Sequence, residues 1–169
     1  MREKGTAMPM LDAFIPEGAL TAEAEGQLIS RLTDLLLEHE GADPRDPVAR
    51  SLAWVFLHRP AAVYVAGEPA AAPRYRFVAS VPEGQYDDER RAAIVAAVTD
   101  AALDAENGAH PRDPQRVWVF ANEIPEGTWG GAGQVMRLAD IVGHVIGDTD
   151  AAERYAASRL ADRHPAVAA

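Results

Sequence analysis

The sequence predicts an α/β fold: tandem β-α-β units forming one four-stranded sheet with two helices on one face. Three echoes along the chain carry that prediction. "FIPEG" (Phe14 to Gly18) returns as "SVPEG" (Ser80 to Gly84), placing Pro16 and Pro82 66 residues apart. "PRDP" occurs at 44–47 and again at 111–114, an offset of 67, and "WVF" at 54–56 and 118–120, an offset of 64. Segments that return in the same order at nearly constant spacing mark a duplicated supersecondary unit.

Each half reads alike. A strand-like run, Met10 to Ile15 or Tyr75 to Val81, ends at a Pro-Glu-Gly turn. A helix follows from Thr21 to His39, with Leu28, Leu32, Leu35 and Leu36 on one face and Thr21 as N-cap. Its counterpart runs from Asp87 to Ala105, with Ile94, Val98 and Ala102 in register. After a Pro-rich loop comes the second strand, Leu52 to Leu57 or Arg116 to Ala121. Strand, crossover helix and strand imply parallel pairing with a right-handed crossover. The boundaries are a 1–7 N-terminal extension, a first unit at 8–71, a second at 72–147, and a C-terminal helix and tail at 148–169. "TWGGAGQVMRLADIVGHVIG" (Thr128 to Gly147) is Gly-rich and then apolar, and an amphipathic helix capped by Asp148 or Asp150 follows it. Two such units cover one sheet face with helices and leave the other bare, so a homo-oligomer is expected.

Bulk properties narrow the function. A net charge of −10 argues against nucleic acid as a partner. No stretch reaches the roughly 20 apolar residues of a membrane span, and no apolar signal-peptide core opens the chain. Cysteine is absent, which excludes disulfides, a thiol nucleophile and Cys-based zinc sites. The five histidines show no paired metal-ligand spacing. "GGAGQV" lacks the G-x-G-x-x-G frame of a dinucleotide loop, and there is neither a phosphate-binding G-x-x-x-x-G-K-[ST] nor a G-x-S-x-G elbow. A cytoplasmic protein is expected.

Four segments resemble one family. "MPMLDAFIPEG" opens the duplicated region, "HRPAAVYV" spans His58 to Val65, "VWVFANEIP" spans Val117 to Pro125, and "NEIPEGTWGGAG" spans Asn122 to Gly133. Together they look like the tautomerase superfamily, and are most similar to its fused two-unit members. That superfamily includes 4-oxalocrotonate tautomerase, cis-3-chloroacrylic acid dehalogenase and malonate semialdehyde decarboxylase. The resemblance implies a tautomerase/MIF-like α/β fold, a homotrimer, and catalysis by an N-terminal proline on a small-molecule substrate, with no metal or organic cofactor needed. The matching residue here is Pro9. A free α-amino group titrates near 8 and lower where desolvated, which suits a general base at ambient pH.

The partners of that proline match less well. Where the dehalogenase and decarboxylase carry two arginines after the third strand, this chain has Val81, Glu83 and Tyr86. The dehalogenase's tyrosine falls on Phe120 and its water-activating glutamate near Gly131. Arg50 stands near the substrate-binding arginine of the simple tautomerases, and Asp46 is a candidate for the decarboxylase's aspartate. Arg74 and Arg76 share one strand face and form a candidate carboxylate clamp, or else a solvated edge. His58, Phe120 and Trp129 complete the substrate-binding candidates, each with packing as the competing role. Pro73, in mid-chain, is taken as the second unit's counterpart of Pro9.

Everything turns on Met8-Pro9. Methionine before proline is normally trimmed, whereas Met1 before the bulky Arg2 is normally retained. Translation from Met8 makes Pro9 a free secondary amine; translation from Met1 leaves it an inert tertiary amide. The reading adopted is a start at Met8 and an isomerase moving a proton in a keto–enol or double-bond isomerisation of a small oxo or enol compound. The alternatives are a decarboxylase or hydratase assisted by Asp46 or Glu123, and a non-catalytic trimer whose proline is blocked by residues 1–7.

Overall fold

The computed structural model describes residues 8–161 and 163; the expectation for the 1–7 extension lies outside them. In chain order the elements are β1 (Met10–Phe14), α1 (Ala22–His39), α2 (Pro47–Leu52), β2 (Trp54–His58), β3 (Tyr64–Val65), β4 (Glu68–Pro69) and β5 (Tyr75–Pro82). They continue with α3 (Asp88–Ala105), a 3₁₀ turn at Pro114–Arg116, β6 (Val117–Ile124), β7 (Trp129–Gly131), β8 (Gln134–Met136), α4 (Leu138–Ile146) and α5 (Thr149–Leu160).

The main sheet has the order β2-β1-β5-β6. Strand β1 is parallel to β2 and β5 to β6, as each crossover helix requires, while β1 and β5 meet antiparallel at the centre. Alternation decides the faces. Leu11, Ala13, Ile15, Tyr75, Phe77, Ala79 and Val81 are buried beneath α1 and α3, which contribute Leu28, Leu32, Leu36, Ile94 and Val98 to the same core. The opposite face carries Trp54, Phe56, Trp118 and Phe120, with Trp54 and Trp118 58% and 63% exposed. So much exposed aromatic surface on one face is an association surface.

The helix starts follow from their caps. The Thr21 hydroxyl accepts from the Ala24 N–H, and the Asp87, Asp46 and Asp148 carboxylates cap α3, α2 and α5. Asp148, rather than Asp150, is thus the cap of the last helix. Both Pro-Glu-Gly turns end on a left-handed glycine, Gly18 at φ 75° and Gly84 at φ 89°.

One detail of the duplication differs from the sequence reading. The buried positions Leu11, Ala13 and Ile15 match Phe77, Ala79 and Val81, so the residue in Pro9's place in the second unit is Tyr75, not Pro73. The C-terminal segment, Leu138 onward, folds as a helix pair in which Leu138 and Val142 pack on Ala152 and Ala156. Arg159 of α5 then reaches the carbonyls of Gly84 and Gln85 at 2.6 and 3.0 Å. No described helix is long and apolar enough to cross a membrane.

Candidate active site

Pro9 immediately precedes β1, and its carbonyl accepts a hydrogen bond from the Trp54 N–H at 3.2 Å. That bond extends the β1–β2 pairing by one residue and fixes the proline at the mouth of the sheet. Pro9 is buried, yet it lines a cleft of about 630 Å³. Met10, Trp54 and Phe56 wall the cleft on the bare side of the sheet, while Trp129, Met136 and His144 close it from β7, β8 and α4.

The tryptophan wall is built by a tight hairpin. Strands β7 and β8 pair antiparallel through Gly131 and Gln134, and the two residues between them, Ala132 and Gly133, have φ of 51° and 78°. Two successive positive φ values make a type I′ turn. The "GGAGQV" stretch is therefore a hairpin turn that sets Trp129 in the wall of the cleft that Pro9 also lines.

Of the residues singled out in the sequence, the fold brings only Pro9 and Trp129 into this cleft. Arg50 lies on α2, where its guanidinium meets Asp34 at 2.5 Å and the Pro44 carbonyl at 2.7 Å. His58 and Arg76 gather at the far end of β1. His58 Nε2 lies 2.7 Å from Asp12 Oδ1 and its ring stacks on Phe14 at 4.2 Å. The Arg76 guanidinium covers the same Phe14 ring at 4.2 Å. Arg74 precedes β5 at that end, and Phe120 stands on the bare face of β6 opposite Val78. Asp46 spends its carboxylate on the α2 cap. Glu123 accepts from the Gly84 and Tyr86 N–H groups, both at 2.9 Å, and from Arg91 and Arg163.

Sequence reasoning missed one buried carboxyl, which lies near the Met8 backbone. Glu40, just past the end of α1, is 1% exposed, and neither carboxyl oxygen finds a hydrogen-bond partner of ordinary geometry among the described residues. Burial pushes its pKa well above the usual carboxylate range, and the nearby Met8 backbone N–H offsets only part of this. Its echo in the second unit is Glu106, just past the end of α3. Glu106 receives a bidentate pair from Arg116, both bonds 2.6 Å, and the Tyr75 hydroxyl at 2.9 Å. The signal was in the repeat: both long helices end on a buried glutamate.

Comparisons with known proteins agree with this geometry. Residues 79–139 match the model of the family described as Tautomerase enzyme. A crystal structure of Pt0534 inactivated by 2-oxo-3-pentynoate is 26% identical over 75% of this chain and 94% of its own, with a TM-score of 0.61. The second unit and the overall fold are thus similar to the tautomerase superfamily. A fused 4-OT solved as a symmetric trimer matches at 24% identity and TM-score 0.61, over 79% of this chain and 98% of its own. A member of the cis-3-chloroacrylic acid dehalogenase family matches at 20% and TM-score 0.57, over 75% and 82%. No curated protein matches the chain.

The chain's departures from the pattern of the tautomerase superfamily have structural reasons. Val81 and Tyr86, at the positions of the expected arginines, are fully buried in the core. Glu83 accepts the Glu126 N–H at 2.8 Å and so ties the turn to the loop before the Trp129 hairpin. Among the described residues, the only titratable side chain lining the cleft is His144. Among the described residues no group of three or more His, Asp or Glu side chains is placed to hold a metal.

Proposed function

We propose that this chain is a tautomerase-like isomerase. It moves a proton in a keto–enol or double-bond isomerisation of a small oxo or enol compound, with the Pro9 nitrogen as general base. The observation that carries this reading is a buried proline lining a largely apolar cleft that Trp129 also lines. In a chain that keeps Met8, the Pro9 nitrogen is a tertiary amide and has no basic lone pair. In a chain that begins at Pro9, it is a secondary amine, and the apolar wall disfavours its charged form. A neutral amine can take a proton from one substrate atom and return it to another, which supplies about 10² to 10⁴ in rate.

The positions of Asp46 and Glu123 favour isomerisation over decarboxylation or hydration. Each carboxylate is already committed, one to a helix cap and the other to a turn and two arginines, so neither is free to activate water. Among the described residues, no arginine lines the cleft. The second part of the proposal is that the chain forms a homotrimer through the bare sheet face, as the trimeric fused 4-OT suggests. Neighbouring subunits then bring cationic groups such as Arg74 or Arg76 to the cleft.

The test uses the chain expressed from Met8. It should ketonise phenylenolpyruvate, and Pro9→Ala should lose at least about 100-fold with an unchanged circular dichroism spectrum. The inhibitor 2-oxo-3-pentynoate, which inactivated Pt0534, should attach to Pro9 and leave Pro9→Ala unlabelled. Full parental rate in Pro9→Ala removes the proline-base reading.

A further inference from the structure

We propose that Glu40 is the acid–base partner of the Pro9 amine, the two groups holding one proton between them in the trimmed chain. This rests on the reading that Pro9 becomes the N-terminus, and adds to it a second group that sets when the amine is a base. Two independent observations support it. The first is position. Met8, the residue whose removal frees the Pro9 nitrogen, lies near enough for its backbone N–H to lower the Glu40 pKa, though no hydrogen bond of ordinary geometry joins the two. Loss of Met8 takes away that N–H and leaves an amine one residue along the same backbone, beside a carboxyl that is otherwise unpartnered.

The second observation is the internal repeat. In the second unit, Glu106 is satisfied by Tyr75 and Arg116. The strand position of Tyr75 corresponds to Pro9. Counted from the shared Arg-Asp-Pro, the position of Arg116 corresponds to Ala49, which is fully buried. Both partners of the buried glutamate have therefore been replaced in the first unit, one by alanine and the other by proline. A buried carboxyl stripped of its cation persists at a cost, and an amine at the matching strand position would supply a compensating cation.

The other groups facing Glu40 do not substitute for the amine. Tyr86 and, from α5, Tyr155 both feel the Glu40 charge, and burial pushes both phenols upward. Beyond them, Arg91 and Arg163 are taken by Glu123, and Arg90 and Arg159 donate to the carbonyls of Gly84 and Gln85. None of these guanidiniums acts on Glu40 as a primary partner.

A carboxylate beside an amine favours the ammonium form, so the pair titrates as one unit with a raised upper step. Activity that needs the neutral amine then rises with pH through that upper step. The experiment labels the Met8-initiated chain with ¹⁵N-proline, checks by intact mass that it starts at Pro9, and titrates the amine by NMR. The wild-type midpoint should lie above the ordinary α-amino value near 8. Glu40→Gln should lower it by at least about one pH unit, a tenfold change in proton affinity, and move the kcat/KM profile down with it. A wild-type midpoint at or below the ordinary value overturns the inference without any variant. An unmoved midpoint in Glu40→Gln overturns it while leaving the proline-base reading intact. A mass that retains Met8 overturns both.

Discussion

In the second β-α-β unit, helix α3 runs out onto a glutamate that is held by a guanidinium and a phenol; in the first, helix α1 runs out onto a glutamate that is held by neither. Glu106 and Glu40 are both almost completely buried. Burial pushes the Glu106 carboxyl up, but the bonds from Arg116 and Tyr75 outweigh it and hold the group below the usual carboxylate range. Glu40 has burial without that compensation and moves the other way. The duplication thus preserved a backbone position and divided its use. One copy is a closed structural ion pair that locks helix, strand and 3₁₀ turn together. The other is a carboxyl that no described side chain pairs with.

The comparison breaks most easily at the two residues that occupy the matched strand position. Pro9→Ala in the Met8-initiated chain should lose about 10²-fold or more in proton transfer and little stability. Tyr75→Phe should do the reverse. It removes a buried donor to a charged acceptor and should cost about 1 to 3 kcal/mol, read by urea denaturation, with kcat/KM unchanged. A loss of activity in Tyr75→Phe as large as in Pro9→Ala would show that the two units are not functionally distinct.

Next in size are the glutamates themselves. Glu106→Gln leaves Arg116 buried without its counter-ion and should cost about 3 to 5 kcal/mol. Glu40→Gln, measured in the untrimmed chain near neutral pH, removes no ion pair and should leave stability unchanged or raise it, because it removes a buried carboxyl that no cation compensates. Their pH dependences should differ in sign. The folded-state pKa of Glu106 is lowered, so its contribution is present above the unfolded value near 4.3 and is lost as pH falls through the folded value. That of Glu40 is raised, so its contribution is complete below the unfolded value and is lost as pH rises toward the folded one. Urea midpoints measured from pH 3 to 8 should therefore lose an acid-side decline in Glu106→Gln and an alkaline-side decline in Glu40→Gln. Equal slopes in both variants would contradict the division of roles.

The bare face offers an effect on assembly. Trp118→Glu places a charge on the most exposed tryptophan of the sheet and should shift the proposed trimer toward monomer in sedimentation, with the helices intact. The smallest effect expected is at the caps. Thr21→Ala and Asp87→Ala each remove one side-chain acceptor from a helix N-terminus and should each cost about 1 kcal/mol. The similarity of those two losses would confirm that the units differ at their C-terminal helix ends and not at their starts.

The sheet and both long helices were legible because the period-2 and period-3.6 patterns were repeated 66 residues apart, so each half checked the other. The short elements were not. Helix α2 is six residues long and begins inside a Pro-rich loop at Pro47. The two small hairpins have strands of two or three residues whose turns use Ala66 and Ala132 at positive φ, a role alanine seldom takes. Helix α4 followed a glycine run and is closed by Gly147 in the left-handed region; its apolar residues carried no repeat to mark them. Pro9 and Trp129 were readable from the family resemblance. Arg50, Arg74, Arg76, His58 and Phe120 fall outside the cleft of their own chain, because the register of β1 against β5 sets Arg76 opposite Phe14, four residues along the strand from Met10. Glu40 was hidden by its type, since a glutamate near a helix end reads as solvent-facing until its neighbours are known.

The measurement that tests the central claim most directly is the intact mass of the protein made from its native gene. The account predicts a chain that begins at Pro9, with the amine free to react. A mass that retains Met8 or anything before it would leave the Pro9 nitrogen in an amide and contradict the claim that this proline is the base.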